Sequence, residues 1–99
     1  MKKIKLTDKA KLYLVMIDND QEITIRNKEQ VRHLALLENE GLIENYPTKD
    51  DEFGYGNMEI TTKGKAYLAT NPTLDDPSIL DDKEFVFSTA ISIIKEFFL

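Results

Sequence analysis

The chain is predicted to fold as an α+β domain with a trailing amphipathic helix, on three observations. A capped, amphipathic stretch at residues 28–41, KEQVRHLALLENEG, ends in a glycine and is followed at once by Leu42-Ile43. A polar loop with two glycines, Phe53-Gly54-Tyr55-Gly56, leads into Met58-Glu59-Ile60-Thr61, whose apolar and polar residues alternate. Thr62-Lys63-Gly64-Lys65-Ala66-Tyr67-Leu68 then returns to helical spacing. Helix, strand, loop, strand, helix is thus the order across residues 27–68.

Each element has a local reason. Lys3-Ile4-Lys5-Leu6 alternates like a short extended arm. Thr7 is a suitable N-cap, with Asp8 favoured in the first turn by the helix dipole. Leu12, Val15 and Met16, joined by Tyr13 and Ile17, give residues 8–17 a buried helical stripe. Asp18-Asn19-Asp20 stops that helix, because these side chains compete for backbone hydrogen bonds. Ile23-Thr24-Ile25 alternates again, which suits a short strand with both isoleucines inward, and the alternative for residues 21–26 is a turn or a vestigial helix. Asn27 caps the next helix, with Gln30 completing a capping box. Val31, Leu34, Ala35 and Leu37 form its apolar face, widened by Leu36, and Gly41 suits a left-handed C′ position.

Leu42 and Ile43 start a strand that Pro47 confines to an edge, and residues 48–56 form the loop of a long hairpin. Met58 and Ile60 face one way and Glu59 and Thr61 the other, as in a strand with one buried face. Thr62 is read as the cap of the short helix behind it, and Gly64 lets its first turn approach a neighbour closely. Residues 71–82, with two prolines and four aspartates, read as a linker. In residues 83–99, Phe87, Ala90, Ile91, Ile94 and Phe98 share one helical face, which packs on the domain or pairs with its twin in a homodimer. The division is therefore residues 1–70, 71–82 and 83–99.

Composition sets outer bounds. Ninety-nine residues, 41% apolar and 31% charged, suit one small domain that buries somewhat over half of its unfolded surface. There is no cysteine, which excludes disulfides and thiolate metal sites. Asp8, Lys9 and Lys11 interrupt any apolar run behind Met1, and no apolar run is long enough to span a bilayer, so the expected location is cytoplasmic. The charge is uneven. Residues 1–33 carry eight Lys or Arg against five acids, and residues 34–99 carry five against thirteen, so +3 and −8 sum to the net −5. One face can meet an anion that the other repels.

The segment Leu37-Glu38-Asn39-Glu40-Gly41-Leu42-Ile43, followed by Ile60-Thr61-Thr62-Lys63-Gly64-Lys65-Ala66-Tyr67-Leu68, resembles the "LxxxGLI … LTxKGxxYL" pattern of small bacterial winged-helix proteins, MarR-like and PadR-like regulators among them. The trailing helix is similar to that of the short YjcQ-like proteins of Gram-positive bacteria and their prophages. The resemblance covers roughly residues 27–69 and, more loosely, the tail. It implies a winged-helix fold, a recognition helix at residues 27–40 and a wing at residues 48–56. This chain departs from the pattern between Asp18 and Asn27, where the usual supporting helix is reduced to a few residues.

Two kinds of partner follow. Double-stranded DNA would be met by Arg26, Lys28, Gln30, Arg32 and His33 on the recognition helix or beside it. Arg, Lys and Gln can read purine edges in the major groove, while Lys2, Lys3, Lys5, Lys9 and Lys11 neutralise phosphates. The bland alternative is an ordinary solvated face. The wing opposes phosphate: Lys49 is followed by Asp50, Asp51 and Glu52. Phe53 and Tyr55 in the same loop either anchor a partner protein or fold back on the core. The leading reading is a small DNA-binding transcriptional regulator. The alternative is a protein-binding module, of the kind a phage encodes, acting through its acidic face. No cofactor and no metal are expected, and no catalysis. His33 is the one histidine, and the paired aspartates at 75–76 and 81–82 have no neighbouring base.

Overall fold

The computed structural model describes residues 5–76 together with 78 and 79. Lys2, Lys3 and the apolar stripe of Phe87, Ala90, Ile91, Ile94 and Phe98 lie outside the described residues. Within them the chain runs α1 (Asp8–Asp18), α2 (Lys28–Asn39), β1 (Ile43–Glu44), β2 (Glu59–Ile60) and α3 (Thr62–Thr70). This is an α+β arrangement of three helices and one antiparallel two-stranded hairpin.

Thr7 caps α1 as its sequence implies, its side chain accepting the Ala10 N–H at 3.2 Å. Burial goes further than one stripe, because every residue from Ala10 to Ile17 is buried, Lys11 included. The helix runs through the middle of the core, packed by α2, β2 and α3. It ends when Asp20 takes a left-handed φ of 56°. The Asp20 N–H then reaches the Ile17 carbonyl at 3.1 Å and the Gln21 N–H reaches Met16 at 2.9 Å. That pair of bonds is the Schellman closure. Asn19 adds its side-chain amide to the Val15 carbonyl at 2.8 Å.

Residues 21–26 are not a strand. Ile23 and Ile25 do pack against the core, so the alternation correctly sorts inside from outside. A strand also needs a neighbouring edge, and this segment has none within the described residues. It is held instead by Gln30, whose carboxamide accepts the Arg26 N–H at 2.6 Å and donates to the Thr24 carbonyl at 3.0 Å. The capping box is thus shifted by one residue, since Gln30 reaches the residue before the Asn27 cap. Asn27 itself accepts the Gln30 N–H at 3.0 Å.

Leu34 and Leu37 anchor α2 in the core. Gly41, at φ 73°, closes the helix with the Leu42 N–H on the Leu37 carbonyl at 2.9 Å. In the hairpin Ile43 faces Ile60 across the core side, and Glu44 faces Glu59 on the outer side. Pairing stops before Pro47, and Met58 sits one residue outside β2 with its side chain still against the core. The Asn45 amide ties the long loop, accepting from Gly56 N–H at 3.0 Å and donating to the Gly54 carbonyl at 2.9 Å.

The cap of α3 is Thr61, one residue before the expected Thr62. Its hydroxyl accepts the Gly64 N–H at 3.0 Å and donates to the Gly41 carbonyl at 2.7 Å. One side chain therefore joins the end of α2 to the start of α3. Beyond α3 the expected linker is fastened to the domain through its described part. The Asp8 carboxylate accepts the N–H groups of Asp75 and Asp76, each at 2.8 Å, and Leu74 and Ile79 pack on the core.

Candidate functional site

The structure divides the described members of the expected DNA-contacting set into two groups. Arg26, Lys28 and Arg32 are exposed. Lys28 and Arg32 are one helical turn apart on α2, so they share a face, and Arg26 precedes the N-terminus of that helix. Lys5 is exposed as well. These side chains can meet an anionic surface.

The other described members, Gln30, Lys11, His33 and Lys9, are engaged within the domain. Gln30 is 5% exposed and both ends of its amide are engaged, so it secures the α1–α2 connection and its amide is not turned outward as the sequence reading expected. Lys11 is 8% exposed and donates to the Thr73 carbonyl at 2.9 Å, which takes it out of the phosphate-contacting set. His33 turns toward α1, with Nδ1 3.3 Å from the Thr7 hydroxyl and its ring 6.1 Å from that of Tyr13. Lys9 stands 3.7 Å from Glu29, a carboxylate that also lies 4.0 Å from His33. A surface pair of this kind contributes little to stability, but it removes Lys9 from the undiluted positive charge.

The hairpin presents the opposite sign. Lys49, Asp50 and Glu52 are exposed, whereas Asp51 bends back to accept the Thr48 N–H at 2.6 Å. Phe53 is half-buried. Tyr55 folds onto the core and donates its hydroxyl to Glu38 at 3.0 Å. Burial first, then that hydrogen bond and the Glu38 charge, push its phenol above the ordinary tyrosine range. Of the two aromatic side chains in the predicted wing, Tyr55 is therefore a core and bracing residue.

Sequence reasoning missed Tyr46, which is 51% exposed and donates to the Glu44 carboxylate. That hydrogen bond raises its phenol most, followed by the charge of Glu44, burial and the charge of Glu59. The signal was available: two residues beyond the outward Glu44, a strand-like period puts Tyr46 on the same face. Glu44 and Glu59 stand directly opposite each other there, and like charges so placed disfavour the pairing they sit on.

Among the described residues, no group of three or more His, Cys, Asp or Glu is placed to hold a metal ion, and no helix is long and apolar enough to cross a membrane. Comparison of the chain with family models, with curated proteins and with solved structures returned no match.

Proposed function

We propose that the chain is a winged-helix protein that binds double-stranded DNA in the cytoplasm as a transcriptional regulator, with α2 in the role of recognition helix. The observation that carries this reading is the exposed trio of Arg26, Lys28 and Arg32 at the N-terminal end of α2. Lys28 and Arg32 face base edges, Arg being the side chain best shaped for guanine, and Arg26 and Lys5 neutralise phosphates. The element order, with a hairpin immediately after that helix, supports the assignment. The residues between α1 and α2 do the work of a supporting helix by a different route. Gln30 braces them, and this fixes the entry of the recognition helix.

On this reading the hairpin stands off the phosphates, because Asp50 and Glu52 would be repelled by them. Electrophoretic mobility of short duplexes over a series of salt concentrations tests the proposal. Retardation that weakens linearly on a log–log plot supports it. Absence of any retarded species at low salt ends it.

A second reading is favoured by one observation, the outward cluster of Glu44, Glu59 and half-exposed Tyr46. An aromatic ringed by carboxylates is a suitable anchor for a basic protein partner. In that case a partner is lost on Tyr46→Ala while duplex affinity is untouched.

A further inference from the structure

A groove of about 340 Å³ opens between the segment leaving α1 and the far arm of the hairpin loop. Its volume falls within the range of ligand-binding clefts. Ile17, Ile23, Met58 and the Tyr55 ring line it, and all four belong to the core or pack against it, so the floor is the edge of the core. Asp20, Glu22 and Asp51 also line it, and among the described residues no lysine or arginine does.

One wall has a specific deficiency. Exposure alternates along residues 21–25 with the two-residue period of extended chain, yet no strand among the described residues pairs with them. Among the described residues, Glu22 and Ile23 donate no main-chain N–H to another backbone group. Thr24 is different, since its carbonyl is taken by Gln30. A strand-patterned segment therefore borders a groove with its ladder unformed by any described residue. Unpaired edges of this kind are where extended peptides add.

We propose that this groove receives an extended basic peptide segment of a partner protein. The peptide adds as a strand along residues 21–25 and lays an apolar side chain on Ile17, Ile23 and Met58. A lysine or arginine of the same peptide sits among Asp20, Glu22 and Asp51. Main-chain hydrogen bonds supply affinity, and the rim carboxylates select the sign of the side chain. The groove lies at the α1 end of the connecting segment and the Arg26, Lys28 and Arg32 trio at its α2 end, so this site is separate from the DNA-binding reading.

The test is an amide-resolved NMR titration of the whole chain, with no DNA present. The probe is a short peptide of alternating lysine and valine. The comparison probes are its glutamate counterpart, an alternately N-methylated version that cannot form a ladder, and spermidine as a free amine. The expected result is saturable shifts at Glu22, Ile23 and Met58, with slowed hydrogen exchange at Ile23. Asp20→Asn with Glu22→Gln should weaken binding by roughly tenfold, as loss of close charge partners does. Asparagine tolerates the left-handed conformation at position 20, so the fold is kept. The proposal is overturned by no saturable binding at about 1 mM peptide, or by shifts confined to other residues. Equal binding of the glutamate peptide, the N-methylated peptide or spermidine also overturns it.

Discussion

Gly64 is seated on the main-chain carbonyl of Leu42: a Cβ added to it would overlap that oxygen and come within 2.7 Å of Ile60 Cγ1. The first turn of α3 thus rests directly on the exit from α2, in the space a side chain would occupy. Gly64→Ala gains up to about 1 kcal/mol of helix propensity. Overpacking against backbone costs about 1–3 kcal/mol and outweighs it. The expected outcome is a net loss of stability in urea denaturation. Gly54→Ala is a useful contrast, since no described residue lies within 4 Å and its φ of 79° is what resists the change.

Gln30→Ala separates a structural role from a reading role. The substitution leaves the Arg26 N–H and the Thr24 carbonyl without their partner. Unsatisfied groups of that kind cost about 1–3 kcal/mol each when buried. Thr24 and Arg26 are themselves exposed, so water replaces part of the lost bonding and chemical denaturation should register a destabilisation toward the low end of that range. A base-reading glutamine would instead leave stability unchanged and lower only duplex affinity.

Tyr55 gives a pH signature. Its phenol is held above the ordinary range, first by burial and then by Glu38, so the folded state keeps a proton that the unfolded state releases. That stabilisation is full below the unfolded tyrosine value of about 10 and is lost as pH rises through the folded value. Stability followed from pH 9 upward should fall more steeply for the wild type than for Tyr55→Phe.

Neutralising the hairpin tests the electrostatics. Asp50→Asn with Glu52→Gln should strengthen duplex binding, because repulsion from phosphates is removed. Asp51 is best left intact, since it holds the loop through the Thr48 N–H. Unchanged affinity would place the hairpin beyond about one Debye length, roughly 10 Å, from the DNA.

Much of this fold was legible because its signals are local. Thr7, Asn27 and Gly41 act within one turn of their own positions, and their roles follow from residue type and spacing. What was not legible depends on distant neighbours. Thr61 and Thr62 are chemically equivalent as caps, and the Gly41 carbonyl 20 residues away engages Thr61. Ile23-Thr24-Ile25 has a strand's pattern, but no pattern shows whether an edge will be there to meet it. Gln30 and Lys11 carry the groups that contact DNA, and only their burial shows those groups to be occupied. Arg26, Lys28 and Arg32 kept the exposure their sequence positions implied.

The salt dependence of duplex affinity for the wild type and for Lys28→Ala with Arg32→Ala tests the central claim most directly. Base contacts of this type contribute about 1–3 kcal/mol each, so the double variant should bind at least about tenfold more weakly. Lys5→Ala should separately flatten the slope of log affinity against log salt by about 0.9. A double variant that binds duplex as tightly as the wild type at every salt concentration would contradict the assignment of α2 as the DNA-reading element.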